Sequence, residues 1–484
     1  MPKRKAECLE HHETGKQPAY GRKELRAGLK ASLADGALSS VQSTVTGTYA
    51  VPFALEVGAS TGEIGILTAV PKLLGTIIQP WVGRIIVRLG GRKRTSLLMS
   101  LISRLMWLPV ILLPFVFGPI MPDGNWLMAA LIILVGLSQL ASSISVTTWS
   151  SWIGDFVPEK IRGRFFGKRG AMASIAGLVA TLAGGALLGS ISGVSGFALL
   201  FFVSIAVGVL ASYFCSKVPA PLVHDSCAGP MLTEFRTEFK QDKDFARFTL
   251  FIALNSFAVY MASPFFAVSM LNSFNIGLPM YAVVTSVSVL AMLISQPYWG
   301  KFADKFGDRT TVAICSVLIA LVPGLWLLVQ NPAHMMLVYI VSGFAWAGFD
   351  LAVFNYLLDS TPANKRSSYI ANYTMFVGIA TFLGPLAGGL LAELAQGSML
   401  IGSGLSFVFG LSFLLRIATA GALIPHLREL RAKKVPHMSV IFWRAVTVYP
   451  LRFFAQELAI APHWLHHRLS GKRISAQPPP RTSA

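Results

Sequence analysis

Charge is scarce in this sequence. Asp, Glu, Lys and Arg make up 13% of its 484 residues, against about a quarter in an ordinary soluble domain. Acids are the scarcer sign, 22 against 41 Lys and Arg, which leaves a net charge of +19. Cysteine is nearly missing as well. Cys8, Cys215, Cys227 and Cys315 show no CxxC or metal spacing, so no disulfide framework is expected. No signal peptide opens the chain. Its first thirty residues carry Lys3, Arg4, Lys5, Lys16, Arg22, Lys23, Arg26 and Lys30 and predict a cytosolic tail. Catalytic signatures are missing too. Gly90-Gly91 follows an apolar run and not a strand, so it is no dinucleotide loop. No Gly-x-x-x-x-Gly-Lys loop occurs, which excludes ATP as the energy source through this chain. His11-His12 and His466-His467 are adjacent pairs in the tails and lack the spacing for a shared zinc face. No enzyme, metal or cofactor is expected.

What the sequence has is length of apolar run. Hydrophobic residues reach 54%, and a membrane-spanning helix needs roughly 20 of them in succession. Twelve such runs are read, near 35–57, 62–86, 95–118, 126–150, 169–190 and 196–216, then 247–271, 279–302, 310–330, 335–358, 368–394 and 399–423. They are too long and too little alternating for barrel strands. The basic residues order them. Connections near 84–94, 155–169, 217–247, 301–309 and 359–368 all carry Lys or Arg, while the six opposite ones carry none. Cytoplasmic loops collect these residues, so both termini are expected inside. Blocks of this kind point to anionic lipid headgroups as the partner of the charge and not to nucleic acid.

The two halves repeat. Gln79-Pro80-Trp81-Val82-Gly83 returns as Gln296-Pro297-Tyr298-Trp299-Gly300, and Arg88, Gly90 and Arg92 as Lys305, Gly307 and Arg309. Asp155, Pro158, Arg162 and Phe165 return as Asp359, Pro362, Arg366 and Tyr369. Gly184-Gly185 returns as Gly388-Gly389. Six spans followed by six related ones fit a two-lobed transporter with its site between the lobes. The expected fold is all-α and integral to the membrane. A basic tail (1–30) precedes a six-helix bundle (31–217), a linker (218–246), a second bundle (247–423) and a cytosolic tail (424–484).

On these motifs the chain resembles the major facilitator superfamily, which marks its second-to-third-helix loop with Gly-x-x-x-Asp-Arg-x-Gly-Arg-Arg. The second-half copy supplies Gly300, Asp304, Lys305, Gly307 and Arg309; the first-half copy keeps Gly83, Arg88, Gly90 and Arg92 but has Val87 at the Asp position. The run from Trp152 through Arg169 is similar to the fourth-to-fifth-helix loop of a bacterial branch whose substrates are mostly unassigned. The resemblance implies alternating access in the cytoplasmic membrane, a small-molecule substrate and protons as the default coupling ion. It also implies that the basic loops latch the lobes together on the cytoplasmic side. Asp304 would anchor one latch, and the other, lacking its acid, would be weaker or use Asp359, with Asp155, Arg162 and Arg366 in the same loops. The fifth span has no Gly-Pro motif, which argues against an antiporter. A monomer is expected.

Charged groups within spans are candidates for function by default. Asp350 lies in the tenth run and Lys72 in the second. By the resemblance both belong to helices near the cavity, while Arg104 and Arg416 lie on peripheral ones, and Arg416 is expected to snorkel to the cytoplasmic end. Asp350 either binds a cationic group or carries a proton, or burial keeps it as a structural carboxyl. Lys72 shares a face with Thr76 and Gln79 and either binds an anionic group or anchors its own lobe. The first run has a polar stripe of Ser39, Gln42, Ser43, Thr46 and Tyr49, which either lines the cavity, the expectation for a first helix of this fold, or bonds neighbouring helices. Asn255, Tyr260 and Asn355 are weaker lining candidates. In the tail, residues 438–451 are apolar and aromatic but too few to span. They read as a helix on the cytoplasmic leaflet or a docking element. The rival reading of the whole is therefore an assembly or scaffold protein on a transporter fold.

Overall fold

The computed structural model describes residues 21–117, 125–220, 242–361, 366–395 and 404–429, together with 445, 447, 449 and 450. The first twenty residues, most of the linker and most of the aromatic tail segment lie outside the described residues. So does the side chain of Arg366.

Every described element is helical. The helices are α1 (Arg22–Glu56), α2 (Thr61–Ile77), α3 (Val82–Arg88), α4 (Arg92–Leu105), α5 (Trp107–Phe117), α6 (Asn125–Phe156), α7 (Glu159–Ser190) and α8 (Gly193–Ser216). They continue as α9 (Lys243–Ala262), α10 (Phe265–Val268), α11 (Leu278–Phe306), α12 (Asp308–Trp326), α13 (Pro332–Asp359), α14 (Arg366–Ala395) and α15 (Gly404–Leu423). Among the described residues, 11 helical segments are long and apolar enough to cross a membrane. The first expected span, within α1, is not among them. Its polar stripe lowers its hydropathy, although it runs for 35 residues. Prolines explain the broken spans. Pro80 introduces a short 3-10 turn between α2 and α3, and Pro264 separates α9 from α10. Large apolar side chains such as Phe202, Ile133, Leu328 and Leu394 are exposed on the outside of the helices, where lipid would cover them.

The packing falls into two groups. α1 packs on α7 and α8, and α6 on α2 and α4. In the second group α13 packs on α11 and α12, and α9 on α14 and α15. The groups meet along α2 with α14 and along α7 with α11. Tight turns carry the chain between spans at the basic end. Gly90, Gly91 and Gly307 have φ of 80°, 112° and 91°, a region that glycine enters without steric cost.

The apolar core shows how the groups are disposed. At the end away from the basic loops, one buried cluster runs through both groups, joining Tyr49, Phe53, Leu67 and Phe201 to Met261, Phe265, Tyr281 and Trp326. At the basic-loop end the core splits. Phe245, Phe248, Trp299 and Tyr356 belong to one cluster, and Trp152, Phe156 and Phe165 to another. The molecule is therefore closed at one end and parted at the other.

The closed end is built from close backbone approach. A Cβ at Gly65 would lie 2.6 Å from the Pro385 carbonyl oxygen and 3.1 Å from Gly389 Cα. The Tyr281 hydroxyl donates to the carbonyl of Thr48 at 3.0 Å. The Gly62 N–H donates to Glu393 Oε1 at 2.8 Å, so the end of α14 supplies a carboxylate to the first turn of α2. A negative group there is favourable, and it adds to the capping box of Ser60 and Glu63. Glu393→Ala should loosen this end. A cysteine placed at Leu278 should then react with an impermeant maleimide about fivefold faster, the ratio expected for roughly 1 kcal/mol. An unchanged rate would show that the bond contributes nothing to closure.

Candidate functional site

The two charges singled out within the spans converge on one ring. Lys72, on α2 in the first group, places its Nζ 3.2 Å from the ring centroid of Tyr260 on α9 in the second. Asp350 on α13 acts electrostatically on Tyr260 and also on Tyr373 of α14. It is exposed where its helix faces open space. Among the described residues neither Lys72 nor Asp350 has an ion-pair partner. A lysine of one group thus meets a tyrosine of the other, and Asp350 lines a cavity with that tyrosine.

Asp350 opens into a cavity of about 420 Å³ inside the second group. Val259, Tyr260, Ser263 and Phe266 form one wall, Val322 and Trp326 a second, Tyr339, Ser342 and Trp346 a third, and Arg416 the far corner. The α13 residues 339, 342, 346 and 350 recur at three and four, which places them on one helix face. The opposite face of α13 is used up by packing, with Gly348 against Trp299 and Cys315.

Other expected residues have local partners. Gln42 is buried and packs against Gly208 of α8. Thr46 returns its hydroxyl to the Gln42 carbonyl at 2.9 Å. Tyr49 is fully buried and donates to the Thr181 carbonyl at 2.5 Å. In this conformation the first-helix stripe bonds helices to one another, because α1 is wedged between α7 and α8. Asn255 is 1% exposed and its Oδ1 finds no hydrogen-bond partner among the described residues. Asn355 donates to Asp308 Oδ1 at 3.2 Å and joins α13 to the start of α12. Gln79 donates to Ser143 of α6 at 2.6 Å, away from Lys72.

The loop residues tie neighbours within their own group. Arg92 contacts Asp155 at 2.5 Å and also donates to Ser151, binding the start of α4 to the end of α6. Arg162 donates to the Gly154 carbonyl at 2.8 Å. Arg309 reaches the carbonyl of Pro425 at 3.3 Å. The Lys305 ammonium lies 5.4 Å from the ring centroid of Tyr449, and Tyr298 donates to the Ala445 carbonyl at 2.7 Å, so this part of the tail rests on α11. Arg88 is exposed beside Gly83 and Gly90; Asp304 and Asp359 are exposed at the ends of α11 and α13, and Gly300 faces open space. The contacts of Arg92, Arg162 and Arg309 named above lie within their own group.

Sequence reading also misplaced one cation and passed over the aromatic walls. Arg416 does not snorkel. It is 3% exposed and donates to the carbonyls of Ile319 and Val259 at 2.9 and 3.2 Å. Phe266, Trp326, Tyr339 and Trp346 read as ordinary membrane apolar residues, and nothing in the pattern marks which face a cavity.

A family model described as Major Facilitator Superfamily matches residues 36–240 and 248–465. Multidrug resistance protein 2 of Bacillus subtilis is 21% identical over 373 residues, covering 72% of this chain and 87% of that protein. The multi-drug resistance efflux pump PmrA of Streptococcus pneumoniae is 27% identical over 109 residues, a stretch covering 22% of this chain and only 27% of that protein. Among solved structures, the D-xylose-proton symporter superposes with a TM-score of 0.63 at 13% identity, covering 85% of this chain and 99% of that one. A bacterial homologue of the iron transporter ferroportin, in an inward-facing state, gives 0.62 at 12%, covering 83% and 98%. The nucleoside transporter NupG gives 0.58 at 14%, covering 85% and 100%. At such identities the superpositions speak for the fold.

Proposed function

The chain belongs to the Major Facilitator Superfamily and is a multi-pass membrane transporter, and we propose that its two groups of helices are six-span bundles that rock about the Lys72–Tyr260–Asp350 junction to move a small organic solute. Both termini and the basic loops face the cytoplasm of a bacterial cell, and the protein works as a monomer in its inner membrane. The structure then has its cytoplasmic side open, with Asp350 reachable from that side. A proton on Asp350 couples transport to the gradient.

The observation that carries this reading is the Lys72 ammonium of one bundle held on the Tyr260 ring of the other, beside an unpaired carboxylate. A desolvated contact of this kind is worth about 2 kcal/mol, and it has to break whenever the bundles swing apart. The aromatic cavity supports an amphipathic cargo, as does the likeness to Multidrug resistance protein 2 of Bacillus subtilis. The purified chain in liposomes with an imposed pH gradient should accumulate or expel members of an organic solute panel. Under those conditions Tyr260→Phe should stay near wild type, while Tyr260→Leu should lower turnover by a factor of about 5–30, as 1–2 kcal/mol implies. Equal turnover in both variants would remove the junction from the mechanism.

A further inference from the structure

The far corner of the cavity holds a charge that the fold does not answer. Arg416 is buried in α15, with 3% of its surface exposed. A guanidinium has five N–H donors. One goes to Ile319, one to Val259, and Nε has no hydrogen-bond partner. No ion pair to Arg416 occurs among the described residues. A buried cation without an opposite charge is expensive, by several kcal/mol.

Comparison within the chain sharpens the point. Arg104 makes the related junction in the first group from the third span instead of the sixth: on α4, it donates to the Gly208 carbonyl and Ser212 of α8 and to Ser39 of α1 at 2.7 Å. Each arginine thus staples the first, third and sixth spans of its own repeat. Arg104, however, has a carboxylate at hand, because Ser39 in turn donates to Asp35 at 3.0 Å. Arg416 has no such carboxylate among the described residues and borders a cavity. The cavity it lines is about 420 Å³, within the range of roughly 300–1,000 Å³ typical of ligand sites. Asp350 lines the same cavity, together with Phe266, Trp326, Tyr339 and Trp346.

We infer that this corner is an anion subsite, in which Arg416 takes the carboxylate of a small organic acid whose flat apolar body lies among the four aromatic rings. Asp350, which lines the same cavity, repels a second carboxylate, so monoacids are accepted and diacids are not. The inference rests on the transport reading only in calling this ligand a substrate. Binding itself is measured without transport.

The test uses the purified full chain in detergent and two probes of one shape, 3-phenylpropionate and 3-phenylpropanamide, followed by thermal stabilisation. The acid should bind about tenfold tighter than the amide, a difference of ~1.4 kcal/mol. Arg416→Gln should erase that preference and Arg416→Lys should keep part of it. Ser342→Leu, which fills the cavity without removing any contact of Arg416, should weaken both probes. Should Arg416→Gln fail to fold, Ser342→Leu decides, and undiminished acid binding there overturns the inference. It is also overturned by equal affinities in the wild type, by no acid binding up to the solubility limit, or by a preference that survives Arg416→Gln. None of these results touches the pH-gradient experiment, so the two readings fail separately.

Discussion

Asp350→Asn should leave downhill exchange of solute intact and abolish accumulation against a gradient. The asparagine keeps the size and polarity of the side chain but cannot take up or release a proton. A charge moving through ~100 mV releases about 2.3 kcal/mol, which sustains about fiftyfold accumulation of a coupled solute. The variant should lose that factor while counterflow of labelled against unlabelled solute continues. Asp350 is fit for the task on geometry. It sits within a span, is exposed to open space, lies beside Tyr260 and Tyr373, and has no ion-pair partner among the described residues. Full accumulation by the variant in proteoliposomes would assign the proton elsewhere.

Gly65→Val should hold the closed end apart. The valine Cβ would fall 2.6 Å from the Pro385 carbonyl oxygen and 3.1 Å from Gly389 Cα. Both neighbours are backbone, so no side-chain rotation relieves the clash, and α2 and α14 have to separate. Overpacking of this kind costs about 1–3 kcal/mol, and here the cost falls on one conformation only. The equilibrium should therefore shift toward the state open at this end by roughly 5- to 150-fold. Alkylation of a cysteine at Leu278 reads the shift directly, and turnover should fall with it. Gly410→Val is the control, since a Cβ at Gly410 meets nothing within 4 Å. If both substitutions alter alkylation equally, the close approach at Gly65 does not govern closure.

Much of this architecture was legible because the bilayer imposes long periods on a sequence. Apolar runs and their basic connectors marked the spans. The first span shows the limit of hydropathy: α1 is polar because it bonds to α7 through Tyr49 and Ser40 and to α4 through Ser39. The candidate site was legible only in its charges. Asp350 and Lys72 stood out because charge is costly inside a membrane, but their meeting at Tyr260 is a tertiary fact between residues 72 and 260. Arg416 was misplaced for a related reason. Its position near a helix end is visible in sequence, whereas the carbonyls of Ile319 and Val259 that hold it inward are not. Among the contacts of the loop residues, those of Arg92, Arg162 and Arg309 lie within their own group.

The closed end has one further consequence, for speed. Part of its seal is glycine backbone: Gly62 and Gly65 against Gly389, and Gly185 and Gly189 against Ala282 and Pro279. Glycine, alanine and proline have essentially no rotamer freedom to surrender when a surface is buried. Forming and breaking such a seal therefore freezes and releases few side chains, so little entropy is exchanged per stroke. A carrier that must seal and unseal once for every molecule moved is helped by a zipper whose teeth have nothing to rearrange.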